Sequence, residues 1–196
     1  MDIDGWRDRI RRSTFANYHF HMGEALARDG ATEAAKTHYR SAIELYAEAM
    51  APRLQLIQLL QRIGDAPAAA EAMSAARQVD PDFPASGYVE LAASAMVAGN
   101  PSRAEELARD GLSQSPDHPE LSGRLGLALY RQGKGDEALE PLERAWRRGC
   151  QDAAVLATLS TLFAERGDNA QASALWSRAL EVNPDLEAER AALGLP

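Results

Sequence analysis

Cysteine is almost absent from this sequence, because Cys150 is the one example among 196 residues. No disulfide can therefore form within the chain, and a reducing compartment is the simplest interpretation. Residues 1–15 lack the continuous apolar segment of a signal peptide. No apolar run of about 18 residues, the length that a membrane-spanning helix needs, occurs anywhere in the sequence. We therefore expect a cytoplasmic protein that does not insert into a membrane.

Lysine and aromatic residues are also scarce. Lysine occurs only at Lys36 and Lys134, so arginine carries nearly all of the positive charge, and aromatic residues make up 6% of the chain. The formal net charge is −8, which does not favour nucleic-acid binding because that affinity depends on neutralising phosphates. Alanine, leucine, glutamate and arginine dominate, so the composition favours helix throughout. The arginine and alanine content also points to a GC-rich bacterial genome.

Motifs of catalysis and of metal binding are missing as well. His19 and His21 stand two residues apart on a predicted helix, so they point to nearly opposite sides and cannot share a metal ion. No HExxH, CxxC, glycine-rich phosphate loop or GxSxG sequence occurs. Residues 133–136 resemble a phosphate loop only in composition, because no strand precedes them. We expect no enzymatic activity, no cofactor and no metal site.

What the sequence does contain is a regular ladder of glycines. Each step of the ladder is 34 or 35 residues, and an alanine follows each glycine five residues later. Glycine suits the left-handed end of a helix, and alanine lets two helices approach closely. A period of this length is typical of stacked helical hairpins. The glycines are Gly30, Gly64, Gly99, Gly133 and Gly167, and the alanines are Ala35, Ala69, Ala104, Ala138 and Ala172.

In register, the ladder divides most of the chain into five units of 34 residues. Within a unit, positions 7 and 11 are mostly large and apolar, positions 8 and 27 are mostly small, and position 32 is proline in three units. Positions 4, 7, 8 and 11 fall on one helical face, as the helical period requires. Pro84 is one extra residue between the second and third units. The units are 16–49, 50–83, 85–118, 119–152 and 153–186.

In this register the chain resembles the tetratricopeptide repeat (TPR) family over residues 16–186. The family pattern has leucine and glycine at positions 7 and 8, a large residue at 11, alanine at 20 and 27, and proline at 32. The resemblance implies an all-α fold, a right-handed superhelical solenoid of five TPR-like helical hairpins, in which the first helix of each hairpin, helix A, lines the concave side. Asp65, Asn100 and Asp168 follow ladder glycines and are predicted to cap the second helices, the B helices.

Three residues depart from the family pattern. Ala47 replaces the proline of the first unit, which predicts that its helix B continues to about Met50. Ile57 stands where a small residue is expected, so wider packing is predicted in the second unit. Cys150 replaces the proline of the fourth unit, after Gly149, and is interpreted as a turn residue.

The two ends of the chain lie outside the five units. Ile3, Trp6 and Ile10 share one helical face, so residues 1–15 are predicted to be a short helix that caps the first unit or else to be disordered. A basic amphipathic anchor for a membrane surface or a partner is a further alternative, because arginines occupy much of the remainder. Residues 187–196 are predicted to form a partial capping helix. Such a short cap leaves apolar surface open to self-association, that is, to a homo-oligomer formed through terminal repeats.

The resemblance implies that a partner binds in the concave groove, on variable positions of the A helices. The apolar centre and flanking arginines of this groove suit an amphipathic helix or an extended peptide with some acidic character. Alternatively, the N-terminal segment of the chain itself fills the groove. The carboxylate clamp of chaperone-binding members is absent, because it needs lysine and asparagine where Phe20 and Glu24 stand. The predicted groove residues are Phe20, Glu24, Leu54, Gln58, Arg62, Val89, Met96, Arg124, Leu127 and Arg131.

The sequence therefore predicts a non-enzymatic adaptor or scaffold that binds a peptide or helix of a protein partner. Two alternatives stay open. In the first alternative, the chain is an accessory or substrate-docking subunit of a separate enzyme, such as a transferase. In the second, it is a scaffold that assembles with itself. Neither the periodicity nor the composition identifies the partner or decides between the concave and convex faces.

Overall fold

The structure is a computed structural model that describes residues 3–186, with side chains described from residue 7 onward. Within this range the chain forms ten α-helices and no strand, which confirms the predicted all-α fold of TPR-like helical hairpins. The helices are α1 (Ile3–Arg28), α2 (Thr32–Leu45), α3 (Ala51–Arg62), α4 (Ala66–Val79), α5 (Ala85–Val97), α6 (Pro101–Gln114), α7 (Pro119–Arg131), α8 (Gly135–Arg147), α9 (Ala153–Glu165) and α10 (Asn169–Val182).

The helices belong to two compact units, which are larger than the 34-residue repeats of the sequence. The first compact unit ends at Gly87 and the second begins at Tyr88, within α5. In the first unit, α1 packs against α2, α2 against α3, and α3 against α4. In the second unit, α6 packs against α7, α7 against α8, α8 against α9, and α9 against α10. The A helices also contact one another, since α1 touches α3 and α7 touches α9. Each unit therefore places neighbouring A helices side by side, which is the packing that the 34-residue period predicts.

The five ladder glycines close the turns between A and B helices. Each has a positive φ, from 72° at Gly99 to 80° at Gly64 and Gly167. Backbone hydrogen bonds of the Schellman type surround them; for example, the N–H of Ala31 donates to the carbonyl of Leu26 at 2.9 Å. Because an L-residue with a side chain rarely adopts this backbone conformation, the ladder marks the ends of the A helices.

The caps and the small residues of the pattern act as predicted. The side chain of Asp65 accepts a hydrogen bond from the N–H of Ala68, and Asn100 and Asp168 accept corresponding bonds at the starts of α6 and α10. All five ladder alanines are buried. At position 8 of the fourth repeat, a Cβ on Gly126 would collide with the side chain of Leu142. In the fourth repeat, a residue without a side chain is thus required where helix A touches helix B.

The end of α2 departs from the sequence prediction. This helix ends at Leu45, so the prediction that it continues to about Met50 is wrong. The backbone leaves the helical conformation at Tyr46, where φ is −139°. The guanidinium of Arg53 then donates a 2.7 Å hydrogen bond to the carbonyl of Ala47, which holds the turn without a proline.

The N-terminal segment continues helix A of the first hairpin. Helix α1 is 26 residues long and runs without interruption from Ile3 to Arg28. Most side chains of residues 7–15 are exposed, including Ile10 at 47% and Phe15 at 54%. The predicted capping role of residues 1–15 stays a prediction, and the predicted partial cap at residues 187–196 lies outside the described residues.

Candidate partner-binding faces

In the first unit, the predicted groove residues divide into buried and accessible side chains. Phe20 and Leu54 are buried, Glu24 and Gln58 are half-buried, and Arg62 is exposed. The ring of Phe20 lies 6.3 Å from the ring of Tyr39, measured between centroids. Phe20 and Leu54 therefore stabilise the hairpins, and any contact with a partner on this face would fall mainly to the polar residues.

Charged side chains surround Tyr39 at the carboxyl end of α1. Burial raises the pKa of Tyr39 to about 12, and the nearby carboxylate of Glu24 adds to this effect. The guanidiniums of Arg62 and Arg28 act in the opposite direction. Arg62 also approaches the carbonyl of Ala27 at 3.5 Å, a long hydrogen bond between α3 and the last turn of α1. This end of the first unit is a polar cluster of mixed sign.

In the second unit, two of the five predicted groove residues are buried. Val89 and Leu127 belong to the core, whereas Met96 and Arg124 are half-buried and Arg131 is exposed. Met96 packs against the hydrophobic core of this unit with part of its side chain accessible. The helical period alone does not separate the buried groove residues from the accessible ones, because burial depends on the size of the side chains that the adjacent hairpin supplies.

Five accessible side chains on α5, α7 and α9 define what we call the A-helix face of the second unit. Tyr130 is half-buried on the same core as Met96. Its pKa is raised chiefly by burial and further by the carboxylate of Glu165, while the guanidinium of Arg131 opposes the shift. Charges of both signs thus lie near Tyr130. The face consists of Met96, Val97, Tyr130, Arg131 and Glu165.

Val97 is the most exposed large hydrophobic residue among those that the structure describes. It ends α5 with 91% of its surface accessible to solvent. Single exposed apolar residues are common on protein surfaces, but Val97 adjoins the partly accessible Met96 in the last turn of α5. Its exposure follows from its place in the last turn of α5.

Arg124 is already engaged within the second unit. Its guanidinium lies 3.2 Å from the carboxylate of Asp152, which also accepts hydrogen bonds from the first backbone N–H groups of α9. The Nε atom of Arg124 is buried without a hydrogen-bond partner. A carboxylate from a binding partner would therefore have to compete with Asp152 for this arginine. Arg124 borders a cavity of about 260 Å³, which is also lined by Glu120, Cys150, Gln151, Asp152 and Val155.

Cys150 lies in this cavity but is not activated. Its side chain is buried, and burial raises the pKa of the thiol, although the backbone N–H of Asp152 acts in the opposite direction. Because the thiolate is the reactive form, Cys150 is a poor nucleophile here. Its backbone N–H donates to the carbonyl of Ala145 at 3.0 Å, so Cys150 sits in a turn, as predicted.

One close pair of side chains escaped the sequence analysis. The Nδ1 atoms of His19 and His38 lie 3.0 Å apart, across the packed helices α1 and α2. The spacing of residues along one helix relates His19 only to His21, because His38 lies on the next helix. The repeat register contained the missing signal, because positions 4 and 23 of a hairpin face each other across the A–B turn.

Neither a three-ligand metal cluster nor a membrane-spanning helix occurs in the described part of the chain. Among residues 7–186, whose side chains are described, no three His, Cys, Asp or Glu side chains come together in a way that suits a metal ion. No helix between residues 3 and 186 is both long enough and apolar enough to cross a membrane.

The packing and the turn geometry define a protein built from tetratricopeptide hairpins. A family model described as tetratricopeptide repeat matches residues 89–154. Over these residues the match supports the resemblance to the tetratricopeptide repeat family that the sequence shows. A comparison with curated proteins finds no match.

Several solved structures are similar in fold. YrrB, described as a TPR protein with an unusual peptide-binding site, is 16% identical with a TM-score of 0.46, covering 90% of this chain and 91% of YrrB. MamA from Desulfovibrio magneticus RS-1 is 15% identical with a TM-score of 0.45, covering 86% of this chain and 95% of that one. The pilF protein of Pseudomonas aeruginosa is 18% identical with a TM-score of 0.45, covering 93% and 90% respectively. Likeness at this level concerns the fold, and a fold does not determine function.

Proposed function

We propose that this protein is a non-enzymatic adaptor that binds a peptide or helix of a protein partner on the A-helix face of the second unit. The observation that carries the proposal is the accessible apolar surface that Met96, Val97 and Tyr130 keep on the A helices, with Arg131 and Glu165 near Tyr130. Tyrosine, methionine and arginine are the residue types that protein interfaces favour. A face of this kind can take an amphipathic partner whose apolar side chains supply the affinity.

The charges of this face modify the expected chemistry of the partner. Arg124 is paired with Asp152, and Glu165 lies close enough to Tyr130 to raise its pKa. The second unit therefore presents both signs of charge, and apolar anchors are proposed to contribute more than acidic groups.

A photocrosslinking amino acid placed at single positions tests this proposal. In cells that express the protein naturally, a crosslinker at Val97 should capture a defined partner, whose contact segment mass spectrometry then identifies. Val182 on α10 is the matched control, because it is also an exposed valine in the last turn of its helix. Equal capture of the same proteins from both positions, or no adduct at Val97, would count against the A-helix face.

Two other functions remain as alternatives. An accessory subunit of a separate enzyme would use the same face, with the enzyme as its partner. Self-assembly has an observation of its own, since Ile10, Phe15 and Tyr18 are exposed along α1. Static light scattering of the full chain over a wide concentration range tests this alternative. Self-assembly predicts a mass that rises with concentration in the wild type and stays constant in Phe15→Glu, whereas a constant monomer mass in both excludes it.

A further inference from the structure

His19 and His38 face each other across the first hairpin. Their Nδ1 atoms are 3.0 Å apart, and the ring centroids are 5.0 Å apart, so the two rings meet through these nitrogens. Both side chains are half-buried. The backbones that carry them are regular helices, α1 and α2, packed against each other. The pair is thus held by rigid elements rather than by a loop.

The distance between the two nitrogens suits two ligands of one metal ion. Zinc–imidazole bonds are about 2.0–2.1 Å long, so two nitrogens on one ion stand about 2.9 Å apart at a right angle and about 3.3 Å apart at a tetrahedral angle. The observed 3.0 Å lies between these limits. Both lone pairs must turn toward a point beside the line that joins the nitrogens. With these bond lengths each lone pair turns by about 40°, and rotation about χ2 contributes to this because that torsion has a broad minimum in histidine.

The protonation of the pair is compatible with metal binding. When both rings are neutral, one Nδ1–H must donate a hydrogen bond to the other Nδ1 at this distance. If both rings were protonated, two positive charges would face each other. A metal ion takes the place of the shared proton: the donor ring loses its Nδ1 proton to solvent and gains one at Nε2. Both imidazoles then remain neutral, which is the form that binds metal.

We propose that His19 and His38 form a two-histidine site for a divalent first-row transition metal ion, with water completing the coordination shell. Imidazole ligands suit copper, nickel and zinc and do not favour magnesium or calcium. Copper(II) should bind most tightly, following the general order of affinities for nitrogen sites. The ion would link α1 to α2 and so stabilise the hairpin from which residues 7–15 extend. This role is separate from partner binding by the second unit.

Metal titration of the tag-free, metal-stripped full chain tests the site. We expect one equivalent of copper(II) to bind and to raise the melting temperature, with weaker nickel(II) and zinc(II) binding and no effect of magnesium(II). His19→Ala and His38→Ala should each weaken copper binding at least about tenfold, because each removes one of two linked ligands. Electron paramagnetic resonance of the copper complex should show two bound nitrogens in the wild type and fewer in either variant.

His21→Ala is the matched control, since His21 lies on the same helix but pairs with Glu24 at 3.1 Å. Its copper affinity should stay within about twofold of the wild type, because it takes no part in the proposed chelate. Circular dichroism checks that each variant folds; if one does not, the other histidine variant and the nitrogen count of the wild type decide. Absence of binding in the wild type, or equal loss in all three variants, would overturn the proposal.

Discussion

Glu105 of α6 accepts a 2.8 Å hydrogen bond from the side-chain amide of Gln132, which follows α7 in the next hairpin. Lys134 reaches the same carboxylate at 3.1 Å, and Arg109 binds its other oxygen. The A–B turn of one repeat is thereby fixed to helix B of the preceding repeat. These bonds, led by the one from Gln132, lower the pKa of Glu105 to about 2, although burial opposes the shift.

Stability should therefore depend on the charge of Glu105. A carboxylate whose pKa is lowered in the folded state contributes stability above its ordinary pKa of 4.5, and that contribution is lost as the pH falls toward 2. Glu105→Gln should destabilise the protein at pH 7, and the difference from the wild type should shrink as the pH decreases below about 5. Urea unfolding at pH values between about 7 and 3.5 measures the difference.

Glu106→Gln is the control for this experiment, because Glu106 is an exposed neighbour that pairs with Arg103 on the helix surface. Its substitution should change the free energy of unfolding by no more than about 0.5 kcal/mol. A difference between wild type and Glu105→Gln that stays constant over the whole pH range would contradict the proposed role of the ionised carboxylate.

Close packing at position 8 predicts a strong effect of a single methyl group. In Gly126→Ala, the new Cβ would collide with Leu142 and approach the carbonyl oxygen of Ala138 at 3.2 Å. We expect a loss of about 1–3 kcal/mol in the free energy of unfolding, the usual cost of overpacking a core. Thermal or urea unfolding gives this value directly.

A second alanine substitution separates overpacking from backbone strain. At Gly99 nothing lies within 4 Å of an added Cβ, but φ is +72°. Gly99→Ala should therefore cost only about 1 kcal/mol, from strain in the left-handed conformation. If Gly126→Ala costs no more than Gly99→Ala, the α7–α8 contact is less tightly packed than we describe.

The pair of Arg124 and Asp152 predicts an order among three variants. Asp152→Ala removes both the cap of α9 and the ion pair, for a loss of about 1–2 kcal/mol. Asp152→Asn keeps a capping oxygen, so about 0.5 kcal/mol or less should be lost, because the pair is partly exposed and screened by solvent. Once Asp152→Asn has removed the carboxylate, Arg124→Ala should cause little further loss of stability from charge interactions. Equal destabilisation by Asp152→Ala and Asp152→Asn would show that the cap contributes nothing.

Cys150 should be unreactive in the folded protein. Burial keeps its thiol both inaccessible and protonated near neutral pH. A colorimetric thiol reagent at pH 8 should react slowly in buffer and rapidly in urea. Fast reaction of the folded chain would mean that the turn after α8 opens readily.

The sequence predicted those parts of the fold that each hairpin determines internally. Contacts within one hairpin set the φ of Gly64 and Gly133, the caps at Asp65 and Asn100, and the absence of a side chain at Gly126. The motif therefore reveals them wherever it repeats. The end of α2 was missed because the local bond from Arg53 to Ala47 replaces the proline of the pattern.

The candidate site was harder to predict for a physical reason. Phe20, Leu54, Val89 and Leu127 occupy variable positions and are all buried, whereas Met96 and Arg131 keep accessible surface at other variable positions. Whether a variable position is buried depends on the neighbouring side chains, which the period does not specify. The pair of His19 and His38 likewise comes from packing across a turn rather than from a spacing along one helix. Their proposed roles therefore rest on the structure.

The most direct test of the adaptor proposal is the affinity for the partner segment that crosslinking at Val97 identifies. Isothermal titration of that segment, as a synthetic peptide, should give at least about tenfold weaker binding for Val97→Asp than for the wild type, as expected for an apolar anchor. Val182→Asp, which changes an equally apolar residue on α10, should bind as the wild type does. Equal affinity for all three proteins would contradict partner binding on the A-helix face of the second unit.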